Sequence, residues 1–148
     1  MKYNNIDETD LKILRLLQSD ARMPVKTIAQ KIFASAPTVS ARIESLTERG
    51  IIKGYYTEID TSVFENVIKS YIDIEVSPER KEELYEFLRN SPQVVECDRV
   101  TGEYSLLVKV VLKNTVEMDR FINALQKYGR TKTQIVFSSI ISHRGNLI

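Results

Sequence analysis

The chain has 148 residues, of which 43% are hydrophobic and 28% are charged, close to the averages of globular proteins. This length allows one ordinary domain or two small ones and excludes a large multidomain enzyme. The 21 Lys and Arg residues nearly balance the 20 Asp and Glu residues, so the net charge of +1 gives no overall argument for nucleic acid or a membrane.

The few cysteines and histidines exclude several kinds of site. Cys97 and His143 are the single residues of their types, so one chain cannot form a Cys/His zinc site, and a disulfide could only be intermolecular. No Ser-His-Asp or Cys-His pattern surrounds His143. We therefore expect no enzyme activity, no metal and no cofactor. The polar, acidic N-terminus and the lack of a long apolar stretch predict a cytoplasmic protein without a membrane partner.

The first fifty residues read as three short helices. Asp7 is expected to cap the first helix, and apolar spacing predicts a two-turn helix over about residues 25–32. After a brief turn, Ser35 is expected to cap a third helix that stops at Gly50. Two helices joined by a turn of about four residues form a helix-turn-helix, which we assign to a domain of residues 1–50.

A second domain follows a linking segment. Beyond the third helix the apolar period changes to two, so residues 51–65 are predicted to form a linking strand. Residues 66–148 read as strand, helix, strand, strand, helix, strand. This order is the ferredoxin-like arrangement of a four-stranded antiparallel sheet covered on one face by two helices. The predicted fold class is therefore α+β, an N-terminal helix-turn-helix domain followed by a C-terminal ferredoxin-like βαββαβ sandwich.

The pattern predicts several details of this second domain. Thr115 is expected to cap its second helix and Gly129 to end it. Cys97, on a strand, is expected to be a small buried hydrophobe. The last strand is predicted from Thr131 to about Ser142 with apolar residues on both faces. The sheet face without helices is therefore expected to meet another subunit.

A local charge pattern indicates DNA binding. Residues 21–43 contain four cations and no carboxylate, which suits a motif that must approach phosphates. The solvent face of the third helix is small and polar, with Arg42 expected to make a bidentate contact to guanine. The alternative is an ordinary solvated face. The predicted DNA-binding residues are Arg22, Lys26, Lys31, Pro37, Thr38, Ser40, Ala41, Arg42 and Ser45.

Three segments taken in order resemble the Lrp/AsnC (feast/famine) transcription regulators over nearly the whole chain: IDETDLKILRLLQSDAR, ASAPTVSARIESLTERGIIKGY and VTGEYSLLVKV. The resemblance implies a linking strand that pairs between two subunits. It also implies a C-terminal domain for dimerisation, higher assembly and small-molecule sensing. By position it places Thr38, Val39, Ser40 and Arg42 in the recognition helix. The effector residues that it implies are Thr101, Gly102, Glu103, Tyr104, Ser105, Thr131 and Thr133.

The expected function is a sequence-specific DNA-binding transcriptional regulator modulated by an amino acid or a related small molecule. Its expected partners are double-stranded DNA at an imperfect palindromic operator, the effector, and further copies of itself in a homodimer or an octamer. Two alternatives stay open: a sirohaem-decarboxylase-like enzyme on the same architecture, and an assembly or sensor protein with a degenerate DNA-binding domain.

Two positions depart from the family pattern. Phe33 stands where the turn of the helix-turn-helix usually has glycine, which asks a bulky residue to adopt φ > 0 and puts the standard turn geometry in question. Ser105 stands where the family often has an aspartate that would pair with the amino group of an effector. A hydroxyl there can form hydrogen bonds but supplies no anion.

Overall fold

The structure is a computed structural model that describes residues 6–57, 59, 63 and 67–141. The chain forms two compact units, one holding the described residues up to Ile59 and the other ending at Ile141. His143 and the predicted strand end at Ser142 lie outside the described residues. Within the described ranges, every helix is too short or too polar to cross a membrane.

The first unit contains three helices: α1 (Glu8–Ser19), α2 (Val25–Ile32) and α3 (Ala36–Glu48). Asp7 caps α1 in a capping box, because its carboxylate accepts the Asp10 N–H at 2.8 Å and the Asp10 carboxylate accepts the Asp7 N–H at 3.3 Å. Ser35 caps α3 by accepting the Thr38 N–H at 3.2 Å. Gly50 follows α3 at a φ of 68°. The three predicted helices and their caps are confirmed. Their buried core consists of Ile13, Ile28, Ala29, Val39 and Leu46.

The segment after α3 forms no strand. Residues 51–57 carry no ladder hydrogen bonds and form no strand within one chain, so the linking strand that pairs between two subunits stays a prediction. An extended segment becomes a strand only beside a partner, and the described residues place none next to it. Most of the remaining predicted strand, at residues 58 to 65, lies outside the described residues.

The second unit is the predicted ferredoxin-like sandwich. Its strands are β1 (Ile68–Val76), β2 (Val94–Arg99), β3 (Leu106–Leu112) and β4 (Gly129–Ile135), in the sheet order β2-β3-β1-β4 with every pair antiparallel. Its helices are α4 (Lys81–Arg89), preceded by a 3₁₀ turn (Pro78–Arg80), and α5 (Thr115–Gln126). The core lies between the helices and one sheet face, and its buried side chains include Ile72, Ile74, Leu84, Leu106, Phe121 and Leu125.

The ends of α5 differ from the predicted ones. Asn114 is the N-cap, since its side chain accepts the Glu117 N–H at 2.9 Å, and Thr115 is the first helical residue. Gly129 does not end the helix but begins β4. A Cβ atom at Gly129 would overlap the carbonyl oxygen of Glu75 and lie 2.9 Å from its carbonyl carbon. Glycine is therefore needed for the close approach of β4 to β1 and not for a helix C-cap.

The last strand is shorter than predicted. Ile135 pairs with Ser70, and the Val136 N–H donates to the Lys69 carbonyl at 2.9 Å. The pairing ends there although β1 extends one residue further, to Ile68, and the chain then leaves the sheet. The side chain of Phe137 is 98% exposed. The expectation of two apolar faces on this strand is therefore wrong.

The sheet face opposite the helices carries both charged and apolar side chains. Its central apolar members, Leu107 and Val111 on β3, are half-buried. Polar pairs surround them, including Gln134 on β4, whose amide donates to the Asp73 carboxylate at 2.9 Å. This face is neither a clean solvated surface nor an uninterrupted apolar one.

Cys97 lies on the edge strand β2 and is exposed, so its predicted burial is wrong. The helix layer does not cover this edge. A cleft of about 460 Å³ opens between α4 and β2 instead. Partial desolvation and the Asp98 carboxylate raise the pKa of the Cys97 thiol, so the thiol stays protonated at neutral pH.

Candidate DNA-binding and effector sites

The helix-turn-helix presents most of its predicted DNA-binding side chains to solvent. Arg22, Lys26 and Lys31 are exposed. On α3 the exposed members are Pro37, Thr38, Ser40 and Ala41, and Ser45 is half-buried. Small side chains at the start of α3 therefore lie on the same motif as three exposed cations. This is the arrangement that lets a helix approach base edges while the flanking charges meet phosphates.

Arg42 is the exception among these residues. Its Nη1 atom lies 2.7 Å from an oxygen of Asp7 and 2.7 Å from an oxygen of Asp10. The carboxylate of Asp10 is buried, and the whole residue is only 5% exposed. Arg42 is half-buried and its guanidinium joins α3 to the capping box of α1, so it is not free on the solvent face, and its contact to guanine stays a prediction.

This contact changes the titration of both partners. The Asp10 N–H and the Arg42 guanidinium hold the pKa of Asp7 below its usual value. Hydrogen bonds to Asp10 and Asp7 raise the pKa of Arg42. Asp7 and Arg42 are 35 residues apart in the sequence. Helical periodicity relates only residues a few positions apart and therefore could not predict this ion pair.

The turn between α2 and α3 keeps the geometry that glycine would adopt. Phe33 is the C-cap of α2 at φ 57° and ψ 45°, and no other non-glycine residue in the described part of the chain has a positive φ. The Ala34 N–H donates to the Ala29 carbonyl at 2.9 Å, which closes the helix end. The turn is therefore intact, and Phe33 gives no reason to regard the DNA-binding domain as degenerate.

The predicted effector loop joins β2 to β3. Gly102 has a φ of 120°, a conformation that L side chains rarely adopt, and no atom lies within 4 Å of the position of a Cβ atom there. Within the described part of the chain, no hydrogen bond is made by the backbone N–H groups of residues 101–104. Adjacent unpaired N–H groups can hold a carboxylate.

Ser105 is already engaged within the protein. Its hydroxyl donates to the Ile74 carbonyl at 3.1 Å and accepts the Val76 N–H at 3.3 Å. These two bonds attach the base of the loop to the end of β1. Ser105 therefore positions the loop, and the hydrogen of its hydroxyl is already donated within the protein.

A charged cluster joins this loop to β4. Arg130 Nη2 lies 2.5 Å from a carboxylate oxygen of Glu103, and Arg130 Nε lies 3.1 Å from one of Glu75. The guanidinium carbon also lies 5.2 Å from the ring centroid of Tyr104. The hydrogen bond to Glu103 is the main cause that raises the pKa of Arg130. Two carboxylates share one guanidinium, so the cluster carries one surplus negative charge.

No pattern in the sequence assigns Arg130 or Glu75 to this site. The antiparallel register places these two residues opposite each other, a relation that appears only when β1 and β4 are paired. The same register puts Thr131 opposite Ile74 and Thr133 opposite Ile72, on the face that packs against the helices. The structure therefore does not bring the two threonines together with the charged side chains of the loop.

Comparisons with known proteins identify the family. The Lrp/AsnC ligand-binding domain matches residues 69–145, and a winged helix-turn-helix DNA-binding domain matches residues 6–53. The chain belongs to the Lrp/AsnC family, and the predicted fold class is confirmed.

Individual relatives agree with this assignment. The uncharacterized HTH-type transcriptional regulator YezC of Bacillus subtilis is 30% identical over 93% of this chain and 98% of its own. The solved structure of LrpC, an HTH-type transcriptional regulator of the same organism, is 27% identical with a TM-score of 0.83, covering 94% of this chain and 99% of its own. A Neisseria meningitidis regulator solved with L-Met shares the fold, with a TM-score of 0.86 at 20% identity and 97% coverage of both chains. This protein is accordingly a DNA-binding transcriptional regulator, as the names of these curated relatives indicate.

Proposed function

We propose that this regulator binds an imperfect palindromic operator and that an amino acid, held at the loop of residues 101–105, modulates the binding. The observation that carries the proposal is the row of unpaired N–H groups beside a cluster with a surplus negative charge. Because a transcriptional regulator must reach the DNA, we also propose that the protein is located in the cytoplasm.

The DNA contacts follow from the exposed surface of the helix-turn-helix. The N-terminal residues of α3, from Pro37 to Ala41, would face base edges in the major groove. Lys26 and Lys31 on α2 would meet the phosphate backbone, which attracts cations irrespective of sequence. Affinity and sequence preference then come from different residues.

Lys26→Ala tests the phosphate contact. The variant is expected to bind all DNA sequences more weakly by a similar factor, and the slope of log affinity against log salt should fall by about one ion. Fluorescence anisotropy over a salt series measures both quantities. Lys12→Ala is the matched control, because Lys12 is an exposed cation of the same unit that lies on α1 beside Glu8 at 3.1 Å. Equal effects of the two substitutions would contradict the assignment.

The charges at the loop favour a zwitterion. The carboxylate of an amino acid would accept the N–H groups of residues 101–104, and its ammonium group would lie near Glu103 and Glu75. These carboxylates supply the anion that Ser105 lacks. The departure from the family pattern at Ser105 is therefore compatible with amino-acid sensing.

Gly102→Val tests the loop. Valine cannot readily adopt the φ of 120° at this position, so the N–H groups are expected to lose their arrangement while the helix-turn-helix is untouched. Calorimetry against the twenty amino acids should show binding to the wild type and none to the variant, with DNA affinity in the absence of amino acids unchanged. Glu103→Gln is the companion variant, which keeps the backbone and should weaken binding without abolishing it. The proposal fails if no amino acid binds the wild type, or if Gly102→Val binds equally well.

We also propose that the protein forms at least a homodimer, with an octamer as the higher assembly. The open sheet face has an apolar centre at Leu107 and Val111, and Phe137 and Ile140, just after β4, are 98% and 93% exposed. Such surfaces are usually covered by a partner. Two helix-turn-helix motifs in a dimer would explain a palindromic operator.

Sedimentation tests the assembly. The wild type is expected to be a dimer or larger at micromolar concentration, and Leu107→Lys should shift it toward the monomer by placing a charge in the apolar centre of the face. Arg120→Ala is a control on the same unit, since Arg120 is exposed on α5, which covers the other sheet face. A stable wild-type monomer that still bound a palindrome tightly would contradict the proposal.

A further inference from the structure

Phe33 is energetically unfavourable in the folded chain in two ways. A bulky side chain at a φ of 57° is in the left-handed region, which glycine occupies without strain. The ring is also 97% exposed, so it gains almost nothing from burial. A strained residue that contributes no packing is a candidate for a role in binding.

The position of Phe33 indicates what it binds. It lies two residues before Ser35, the N-cap of α3, and so at the end of the helix that reads base edges. Lys26 and Lys31 on the preceding helix are exposed, and residues 21–43 contain no carboxylate. The cations near the ring favour a polyanionic ligand. The exposed ring itself favours a ligand that also presents apolar groups in a groove.

We propose that the Phe33 ring contacts duplex DNA and packs against the 5-methyl group of a thymine beside the bases that α3 reads. Thymine is the one base that presents a methyl group in the major groove, and apolar side chains recognise it there. The ring thus adds a preference for thymine at one position of each half-site. This inference rests on the operator binding described above and adds a residue that determines its specificity.

The test compares stability and affinity in one variant. Phe33→Gly removes the ring and relieves the backbone strain, so the thermal midpoint of the free protein should stay the same or rise. Its affinity for an operator selected with the wild type should fall about 5- to 10-fold, while its affinity for non-specific DNA changes less than twofold. Val116→Ala is the control, since that apolar side chain is 55% exposed on α5 of the other unit and should leave DNA affinity unchanged.

A second measurement acts on the DNA. Each operator thymine is replaced in turn by uracil, which lacks only the methyl group. One symmetric pair of replacements should weaken the wild type and leave Phe33→Gly unaffected. The inference is overturned if Phe33→Gly binds the operator as tightly as the wild type, or if no uracil position distinguishes the two proteins. It is also overturned if Phe33→Gly changes only the sedimentation behaviour, which would assign the ring to an interface between copies. Lys26→Ala reports separately on DNA binding, because its loss of phosphate contact does not depend on Phe33.

Discussion

Arg42→Ala is expected to lower the free energy of unfolding of the helix-turn-helix unit by about 2 kcal/mol. The guanidinium joins two helices through bonds of 2.7 Å to Asp7 and 2.7 Å to Asp10. Without it, the nearly buried Asp10 carboxylate loses its counter-charge and keeps the long 3.3 Å bond from the Asp7 N–H. A buried anion that loses its counter-charge destabilises a fold more than an exposed one does.

The same substitution should weaken binding to every operator by a similar factor. A guanidinium that holds α3 against α1 acts on the whole recognition helix and not on one base contact. Urea unfolding of the full chain measures the stability, and anisotropy with a panel of operators measures the affinity. Asp7→Asn is an informative comparison, because asparagine is as good an N-cap but lacks the charge, and its effect should be smaller. If Arg42→Ala is as stable as the wild type and its sequence preference is relaxed at a single base pair, Arg42 contacts a base and does not position α3.

The pH dependence of this contact has a definite sign. The folded pKa of Asp7 is lowered, so its contribution is present above the unfolded pKa of about 4 and is lost as the pH falls through the folded value. The wild type should therefore lose stability relative to Asp7→Asn as the solution is acidified below about pH 4. The two proteins should differ by a constant amount from pH 6 upward.

Gly129→Ala is expected to cost about 3 kcal/mol, at the upper end of the range for overpacking. The new Cβ atom would overlap the carbonyl oxygen of Glu75, which belongs to the backbone of the neighbouring strand and cannot rotate away. Relief requires β1 and β4 to separate at the end of the ladder where Gly129 pairs with Val76. The ion pair of Arg130 with Glu75 lies beside this point and should weaken with it.

Gly102→Ala is the matched control for this clash. That position has a positive φ but no atom within 4 Å of a Cβ atom, so it tests backbone strain alone and should cost about 1 to 2 kcal/mol. Thermal and urea unfolding of the full-length variants measure both values. If Gly129→Ala were no more destabilising than Gly102→Ala, the close approach of the two strands would not be a constraint on this fold.

Local patterns in the sequence were sufficient for the elements and their order. The helix of residues 25–32 and the caps Asp7 and Ser35 were predicted at the positions where they occur. The alternation in β1 and β3 correctly predicted which sheet face is buried. Periodicity and capping depend on residues within a few positions of each other, so one sequence contains the necessary information.

The limits of those elements depended on neighbours that the pattern does not contain. β4 ends at Ile135, where its ladder with β1 ends, although the apolar sequence continues to Ile141. Cys97 is exposed because its strand lies at the sheet edge, which only the order β2-β3-β1-β4 determines. Gly129 resembled a helix C-cap, but the backbone of β1 explains why it is glycine.

The roles of charged residues depended most on the tertiary structure. The sequence by itself determined that residues 21–43 carry cations without carboxylates, and that a TGEYS loop follows the second strand of the sheet. It did not determine that Arg42 binds Asp7, 35 residues away, or that Arg130 binds Glu103 and Glu75, 27 and 55 residues away. A charged side chain has no periodic signature, because its partner is chosen by distance in space after the helices and strands have packed.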